Sequence, residues 1–196
     1  SYTDGHGTAE SVTSSATSAV ANVNDSPTGT LTISGTSEQG EVLTASNSLA
    51  DFDGLGPISY QWNRDGSAIS GATSSTYTLL QADVDSAITV TASYTDGHGT
   101  AESVTSSATS VVANVNDSPT GTLTISGTPL FNQTLTADTS SIADLDGLGN
   151  FTYQWKADGV NIVGATNAEY QLSSENVNNF QSITVSASYN LSLIHI

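Results

Sequence analysis

Residues 93–128 read SYTDGHGTAESVTSSATSVVANVNDSPTGTLTISGT, and residues 1–36 carry the same stretch with one difference, Ala19 in place of Val111. The two copies lie 92 residues apart. An internal period bears on the fold before any local pattern does, and a period of this length fits domains of about 90 residues joined in tandem. The sequence therefore predicts a window cut from an array of modules.

The segments that follow the two copies also correspond, although less closely. DFDGLG at 51–56 matches DLDGLG at 144–149, and ITVTASY at 88–94 matches ITVSASY at 183–189. We therefore expect the two modules to share one fold.

Applied along the chain, the repeat predicts four parts. They are residues 1–24, the last strand of a preceding module; residues 25–116, a complete module; residues 117–190, a second module without its last strand; and residues 191–196, a non-native tail. The tail reads LSLIHI, which one frame of a common transposase mosaic-end sequence encodes, so we interpret it as a translated sequencing adapter. Both ends of the chain are expected to be cuts.

Short segments of alternating apolar and polar residues run through each module. Residues 88–94 place Ile, Val, Ala and Tyr on one face, and Val104, Ala108 and Val112 are expected to line the last strand. Such alternation is typical of antiparallel sheets that pack on one face. Trp62, on the third strand, is expected to fill the space between two sheets. The predicted fold is all-β, tandem antiparallel β-sandwiches of the immunoglobulin-like kind, without a helical segment.

The chain is strongly acidic, with 19 Asp and Glu against 2 Lys and Arg and a formal net charge of −17. This charge repels phosphate groups, so nucleic acid is not an expected partner. No apolar run approaches the roughly 20 residues of a membrane-spanning helix, so membrane insertion is not expected either. Cysteine is absent, so each module depends on its core, and divalent cations would relieve the repulsion between carboxylates.

Two joined stretches carry a family resemblance: TYTLLQADVDSAITVTASYTDGHGTAESVTS at 76–106 and VANVNDSPTG at 112–121. They resemble the tandem immunoglobulin-like or cadherin-like repeats of very large bacterial surface adhesins. Many such proteins are RTX-type, are exported by type I secretion and carry calcium-binding repeats near their C-terminus. The resemblance implies an extracellular, cell-surface location, with neighbouring repeats of the same chain as partners. The RTX nonapeptide does not occur in this sequence, so any export signal or binding head is expected outside it.

Acidic and amide side chains are expected to meet where one module joins the next. In an immunoglobulin-like topology the linker 114–119 should lie between a loop of the preceding module and the loop after the second strand of the following one. Calcium takes about 6–8 oxygen ligands from such groups, so the sequence predicts Ca²⁺ at the junctions. The candidate ligands at the second junction are Asp83, Asp85, Asn114, Asn116, Asp117, Asp144 and Asp146. Those at the first junction are Asn22, Asn24, Asp25, Asp51 and Asp53, with Asp96 from the loop after the sixth strand.

The second junction also resembles that of cadherins. Asn116 and Asp117 match the Asn-Asp of the cadherin linker, and Asp144 and Asp146 match the Asp-x-Asp motif. The linker has Asn114 where the family has a leading Asp, so it offers fewer charges. The first junction is without its preceding module and is expected to bind more weakly.

Turn chemistry alone is a second explanation of these residues, because Asp in Asp-x-Asp-Gly bonds its own backbone. An EF-hand is excluded, since the twelfth residue counted from Asp51 is Trp62 rather than Glu. His98, between two glycines, is expected to be an exposed turn residue. Arg64 and Lys156 are expected at matching surface positions. No catalytic arrangement is predicted, and the chain is not expected to be an enzyme.

The predicted function is mechanical: a structural repeat region of a bacterial adhesin, acting as an extended spacer stiffened by Ca²⁺ at the junctions. Two alternatives stay open. One is a ligand-binding module that recognises carbohydrate or a surface protein, which an exposed cluster of aromatic residues would support, although Phe52 and its counterpart Leu145 are all that the Asp-x-Asp motifs offer. The other is a non-catalytic accessory region of an extracellular enzyme. The missing last strand is also expected to leave an open sheet edge for Val12–Val20 of another chain.

Overall fold

The structure is a computed structural model that describes residues 1–191. The interpretation of 191–196 as a non-native tail concerns residues that, apart from Leu191, lie outside this range. Residues 1–24 contain a small hairpin, in which β1 (Tyr2–Thr3) pairs antiparallel with β2 (Ala9–Glu10). Residues 11–24 form no strand.

The first module, residues 25–116, contains seven strands in two antiparallel sheets. The strands are β3 (Leu31–Ser34), β4 (Val42–Asn47), β5 (Ser59–Arg64), β6 (Ser67–Ala68), β7 (Thr76–Thr78), β8 (Ile88–Thr95) and β9 (Ala101–Thr105). One sheet has the order β3-β4-β7 and the other β6-β5-β8-β9. A single 3-10 turn, Gln81–Asp83, lies between β7 and β8. The two sheets enclose one apolar core, and the prediction of an all-β, β-sandwich-like fold is confirmed.

Trp62 lies in this core and is fully buried. Its ring stacks on Tyr77 with the centroids 5.8 Å apart, and its Nε1 donates a hydrogen bond to the Ser74 carbonyl at 2.9 Å. Trp62 on β5 pairs with Val90 on β8, and the alternation in β8 turns Val90 and Ile88 inward, where both are fully buried. Truncation of a Trp in such a position costs about 3–5 kcal/mol. Its predicted role in the core is confirmed.

The chain beyond β9 continues along β8 as an irregular extended segment. Its backbone N–H groups donate to β8 and the loop before it at 2.9–3.0 Å: Ser106 to Val90, Thr109 to Ile88 and Val112 to Ser86. Three residues of this segment therefore span two residues of the neighbouring chain, which removes the simple alternation of a strand. Val112 is fully buried, as predicted, but Ala108 is exposed, so its predicted inward position is wrong.

The second module, residues 117–190, repeats this arrangement. Its strands are β10 (Thr124–Ser126), β11 (Thr134–Asp138), β12 (Thr152–Ala157), β13 (Val160–Asn161), β14 (Glu169–Gln171) and β15 (Ile183–Ser188). The sheets have the orders β10-β11-β14 and β13-β12-β15. Trp155 is fully buried like Trp62, and its Nε1 donates to the Asn167 carbonyl at 2.9 Å.

A short helix, α1 (Ser174–Asn178), replaces the 3-10 turn of the first module, so the prediction of no helical segment is wrong at this point. The Ser173 hydroxyl accepts the N–H of Asn176 at 3.3 Å and so caps the first turn. No helix within residues 1–191 is long and apolar enough to cross a membrane.

Candidate functional site

The second junction is built on the loop that follows β11. Asp144 Oδ1 accepts the N–H of Asp146 at 2.9 Å, which is the local turn that the turn-chemistry explanation predicts, and Asp144 Oδ2 accepts the Tyr189 hydroxyl. Asp146 is 5% exposed, and its carboxylate faces the linker. Asp146 Oδ1 accepts Asn114 Nδ2 at 2.8 Å, and Oδ2 accepts the Asp117 N–H at 2.7 Å. The linker is thus bonded directly to the second module.

Two glutamines bond the same linker to the first module. Gln39 Nε2 donates to Asp117 Oδ2 at 2.8 Å, and Gln39 Oε1 accepts the Val115 N–H at 3.2 Å. Gln81 Nε2 donates to Asn114 Oδ1 at 3.1 Å. Sequence reasoning missed both glutamines, because an uncharged amide in a loop belongs to no recognisable ligand pattern.

The position of Gln39 follows from the path of the chain after β3. The Ala113 N–H donates to the Ser37 carbonyl and the Gln39 N–H donates to the Ala113 carbonyl, at 2.9 and 3.0 Å. This parallel pairing brings the loop before β4 to the residue that precedes the linker. Glu38 pairs with Ala113, and the next residue, Gln39, therefore lies beside the linker, where its side chain contacts Val115 and Asp117.

Asp83 does not have the predicted ligand position. Its side chain is fully buried within the first module. Asp83 Oδ1 accepts Arg64 Nε at 2.8 Å and lies 2.7 Å from Arg64 Nη2, and Oδ2 accepts the Tyr77 hydroxyl and the Leu80 N–H, both at 2.8 Å. Both oxygens are already bonded inside the module. Asp83 therefore holds the loop between β7 and β8 in place, and we do not include it among the junction ligands.

Two further predicted ligands, Asp85 and Asn116, are exposed. The Asp85 N–H donates to the Val112 carbonyl at 3.0 Å, which holds its loop beside the end of the first module. Asn116 Nδ2 donates to the Asp117 carbonyl at 3.1 Å. Asp85 lies next to the chain that enters the linker, and Asn116 lies within the linker.

The second module fills the position of Asp83 with a neutral side chain, Asn176. Asn176 Oδ1 accepts the Tyr170 hydroxyl at 2.7 Å and the Ser173 N–H at 3.0 Å, which repeats the bonds that Asp83 accepts from Tyr77 and Leu80. The second module therefore keeps the hydrogen-bonded turn but has a neutral amide in place of the carboxylate.

The basic residue that pairs with Asp83 in the first module is also absent from the second module. Arg64 pairs with Ile88 in the sheet, and Ala157 pairs with Ile183, so the counterpart of Arg64 is Ala157. The prediction that Lys156 occupies the matching position is wrong by one residue. A buried carboxylate that loses its cation is strongly destabilising. This cost is a physical reason for an Arg–Asp pair in one module and an Ala–Asn pair in the other.

The first junction repeats the loop geometry of the second. Asp51 Oδ1 accepts the Asp53 N–H at 2.9 Å, and Asp51 Oδ2 accepts the Tyr94 hydroxyl at 2.6 Å. Asp53 is 7% exposed, and its Oδ2 accepts the Asp25 N–H at 2.7 Å, as Asp146 accepts that of Asp117.

The two predicted linker amides of the first junction are Asn22 and Asn24. Asn24 Nδ2 donates to Glu102 Oε1 on β9 at 2.8 Å. Asn22 is exposed. The structure thus bonds the Asp25 backbone N–H to Asp53 and directs Asn24 to a carboxylate of β9, and within residues 1–191 it does not gather three carboxylates into a ligand set.

The loop after β8 adds Asp96 to the first junction. The Gly97 N–H donates to the Asp53 carbonyl at 2.9 Å, which holds the Asp96 loop against the Asp53 loop. Asp96 is 6% exposed, and its Oδ1 accepts the N–H groups of Thr100 at 2.7 Å and His98 at 2.9 Å; these bonds, that of Thr100 first, lower the pKa of Asp96. Asp96 Oδ2 is buried without a hydrogen-bond partner. A buried carboxylate oxygen of this kind calls for a bound water or cation.

At the end of each module, burial and a hydrogen bond to an aspartate raise the pKa of a tyrosine. Burial and the hydrogen bond to Asp51 raise the pKa of Tyr94. The hydrogen bond to Asp144 and burial raise the pKa of Tyr189 to about 12. Both hydroxyls donate to the Asp-x-Asp loops, and the raised pKa values keep them protonated into the alkaline range.

The two junctions differ in how well they suit a cation. Within residues 1–191, no group of three or more His, Asp or Glu side chains is spaced to hold a metal ion. At the second junction, Asp144 and Asp146 already accept N–H and O–H groups on both oxygens, so the predicted ligand set is not assembled. The first junction keeps one unused buried acceptor, Asp96 Oδ2.

Together the fold and the second junction define two β-sandwich-like modules joined by a hydrogen-bonded linker. Comparison of the sequence with protein-family models gives no match, and no curated protein is significantly similar to it.

Proposed function

We propose that this chain is a structural repeat region of a bacterial cell-surface or secreted adhesin, whose modules act as an extended spacer. The observation that supports this most directly is the second junction. Its linker, residues 114–117, is hydrogen-bonded to Gln39 and Gln81 of the preceding module and to Asp146 of the following one. Bonds on both sides limit how the modules turn about the linker, which is what a spacer requires.

The repetition of the junction also supports this role. The bond from Asp25 to Asp53 at the first junction repeats the bond from Asp117 to Asp146 at the second, with the same N–H···O distance of 2.7 Å. Each module added to such an array brings its own copy of this bond. The length of the array then grows with the number of modules while the geometry of each junction stays the same.

The charge of the chain favours extension as well. With 19 acidic and 2 basic residues, neighbouring modules repel each other at distances shorter than the screening length of the salt, about 8–10 Å under physiological conditions. Repulsion of like-charged modules disfavours a folded-back arrangement and keeps a long chain soluble.

Calcium is the second part of the proposal. Asp96, with Asp53, would hold the ion at the first junction, where the buried Asp96 Oδ2 has no hydrogen-bond partner. Bound Ca²⁺ would supply positive charge that offsets the repulsion between these carboxylates. At the second junction, the two N–H donors to Asp146 supply this compensation without an ion.

Small-angle X-ray scattering of the chain tests the spacer. We expect an elongated particle whose maximum dimension changes little between low and high salt, because the linker is bonded on both sides. A compact particle, with the two modules packed side by side, would contradict the proposal.

Calcium titration by calorimetry, with thermal unfolding in parallel, tests the ion site. Asp96→Asn keeps the acceptor for Thr100 and His98 and removes the charge, so we expect it to abolish saturable binding. Asp4→Asn is the matched control: Asp4 lies in an identical loop and accepts the N–H groups of His6 and Thr8, but it lies outside the two modules. Absence of binding at millimolar calcium would contradict the ion site and would favour turn chemistry alone as the explanation of the acidic loops.

A ligand-binding module is the second candidate function. Phe52 and Leu145, at the tips of the two Asp-x-Asp loops, are 88% and 67% exposed. An apolar tip at the same place in each module is a feature that a glycan or protein surface can contact. Glycan binding that is lost in Phe52→Ala would favour this function over a spacer.

A further inference from the structure

The second module has a pocket beside its β12–β13 hairpin, which we call the side pocket. Its volume is about 560 Å³, the size of a cleft that takes a small ligand or a side chain. Its wall is formed by the hairpin, by Tyr170 of β14 and by the first turn of α1. The lining residues that decide its chemistry are Ala157, Asp158, Val160, Val163, Glu175 and Asn176.

The hairpin of the side pocket lies at the β13 edge of its sheet, and β15 lies at the opposite edge. In the first module the sheet continues beyond β8 to β9, yet the corresponding hairpin is open to solvent there too, since Ser67 and Ser70 are exposed. The opening of the side pocket therefore depends on the residues of the second module itself.

In the first module a guanidinium group fills the corresponding place. Arg64, the counterpart of Ala157, donates from Nε to Asp83 Oδ1 at 2.8 Å, and its side chain is 31% exposed. The hydrogen bond from the Ala87 N–H lowers the pKa of Asp65, and the charge of Arg64 lowers it further. The first module thus places one guanidinium group close to two carboxylates.

The second module keeps one of these carboxylates and moves the other. Asp158 corresponds to Asp65, because the N–H groups of both donate to equivalent carbonyls at 2.9 and 3.0 Å. The buried Asp83 is replaced by Asn176, while the residue before Asn176 is Glu175, where the first module has alanine. Asp158 and Glu175 are both exposed at the side pocket.

Among the described residues that line the side pocket there is no Lys, Arg or His to balance these two carboxylates. The deepest lining residues, Ala157 and Asn176, are 8% and 6% exposed and carry no charge. Asn176 Nδ2 already donates to Gln181 Oε1 at 2.9 Å. The attraction for a cation therefore comes from Asp158 and Glu175 at the mouth.

Two valines add an apolar surface to the same mouth. Val160 and Val163 are 71% and 99% exposed, and their counterparts in the first module are Ser67 and Ser70. Arginine buries its aliphatic stem along apolar surface while its charged end stays at polar groups. The valines and carboxylates of the side pocket together match such a side chain.

We propose that the side pocket binds an arginine side chain of a partner protein, from a segment in which the arginine adjoins an apolar residue. The guanidinium group would bond the carboxylates of Asp158 and Glu175, and its stem and the apolar neighbour would lie against Val160 and Val163. Arginine fits better than lysine, because a planar guanidinium group directs several N–H donors at carboxylates in a fixed geometry.

The arginine comes from a different protein, since the chain has only 2 Lys and Arg residues. Arg64 is bonded to Asp83 within its own module. The net charge of −17 repels a second copy and attracts a basic partner. The contact is independent of the spacer role and of calcium, because the side pocket includes no residue of either junction.

An NMR titration of the 196-residue chain with the peptide acetyl-Ala-Val-Arg-Ala-amide is the main experiment. We expect saturable shifts at the amides of residues 157–163 and 173–176, and none at residues 64–70. The same peptide with citrulline in place of arginine keeps the size of the side chain and removes its charge. It should bind about fivefold more weakly or less, the effect of an exposed ion pair.

Two single variants separate the site from the general charge of the chain. Glu175→Gln removes a carboxylate of the side pocket and should weaken binding of the arginine peptide several-fold. Glu169→Gln, exposed on β14, makes the same change of charge outside the pocket and should bind like the parent chain.

A double variant fills the side pocket from within. Ala157→Arg/Asn176→Asp copies the Arg64–Asp83 pair, so the chain then supplies its own guanidinium group at this place. We expect it to keep the thermal stability of the second module and to lose the shifts caused by the peptide. Its melting temperature shows that the loss is not caused by unfolding.

Four results would overturn the proposal. The first is the absence of saturable shifts at residues 157–163 and 173–176. The second is equal binding of the arginine and citrulline peptides, or equal binding by Glu175→Gln and Glu169→Gln. The third is undiminished binding by a folded Ala157→Arg/Asn176→Asp chain. The fourth is the same shifts on raising the protein concentration without peptide, because Lys156 of a second copy would then be the occupant.

Discussion

At the scale of single residues, the buried carboxylate of Asp83 is satisfied by four donor atoms, of which two belong to Arg64. Arg64→Ala removes the cation and leaves a buried carboxylate, so we expect the first module to lose about 3 kcal/mol of stability. The double variant Arg64→Ala/Asp83→Asn copies the Ala157–Asn176 arrangement and should recover most of that loss. Calorimetric unfolding of the three proteins measures both effects.

The second module serves as an internal control, because its unfolding should be the same in all three proteins. A double variant no more stable than Arg64→Ala would show that the charge of Asp83 is not what makes the single substitution costly. Sequence reasoning could have found this pair by comparing the two modules position by position. It failed because Lys156, a nearby basic residue, was aligned with Arg64.

The tyrosines that bond carboxylates predict how stability depends on alkaline pH. Burial and the bond to Asp83 raise the pKa of Tyr77 to about 12, and Tyr189 reaches about 12 beside Asp144. An unfolded tyrosine ionises near pH 10. The folded chain therefore holds protons that the unfolded chain releases, so the stabilisation is complete below about pH 10 and is lost as the pH rises toward 12.

Thermal unfolding between pH 9 and 12 measures this effect. Tyr94→Phe should flatten the alkaline fall in melting temperature, since burial and Asp51 also raise the pKa of Tyr94. Tyr2→Phe is the matched control, because Tyr2 occupies the same place in the repeated sequence but is 64% exposed. Equal profiles for the two variants would contradict the assignment.

At the scale of elements, β8 and β15 have nearly the same sequence and different surroundings. Val90→Ala empties a fully buried site and should cost about 2 kcal/mol. Val185→Ala acts on a partly buried side chain, on a strand that within residues 1–191 pairs only with β12, and should cost about half as much or less. Chemical unfolding of each variant measures these costs, and Val163→Ala, at 99% exposure, gives the baseline. Equal costs would mean that the difference in burial between Val90 and Val185 does not decide their contributions to stability.

The same two strands show how far the sequence determines the fold. Alternation over residues 88–94 predicted the strand and its inward face, because a regular strand has a fixed period. The segment after β9 has no such period, since three residues span two of β8, and Ala108 was therefore placed wrongly. The Asp-x-Asp loops were located correctly because Asp-Gly is local turn chemistry. The bonds of Gln39 to the linker and the buried position of Asp83 depend on contacts between distant segments, which a local sequence pattern does not predict.

At the scale of the whole molecule, the question is whether hydrogen bonds alone set the angle between modules. Asp146 accepts both Asn114 Nδ2 and the Asp117 N–H, so Asp146→Ala should free the linker from the second module. The chain contains no cysteine, so nitroxide labels can be placed at Ser67→Cys and Val160→Cys, both exposed. Double electron–electron resonance should give a narrow distribution of the distance between the two labels in the parent chain and a broad one in Asp146→Ala.

Glu169→Ala, exposed on β14, is the control and should leave the distribution narrow. A chelator separates the two sources of stiffness that the junctions offer. If the bonds to Asp146 and Gln39 hold the second junction, the distance distribution of the parent chain stays narrow in EDTA, because none of these bonds includes an ion. If the distribution broadens in EDTA as much as in Asp146→Ala, calcium rather than the linker bonds fixes the angle, and the carboxylate of Asp146 must then turn from its N–H donors to the ion.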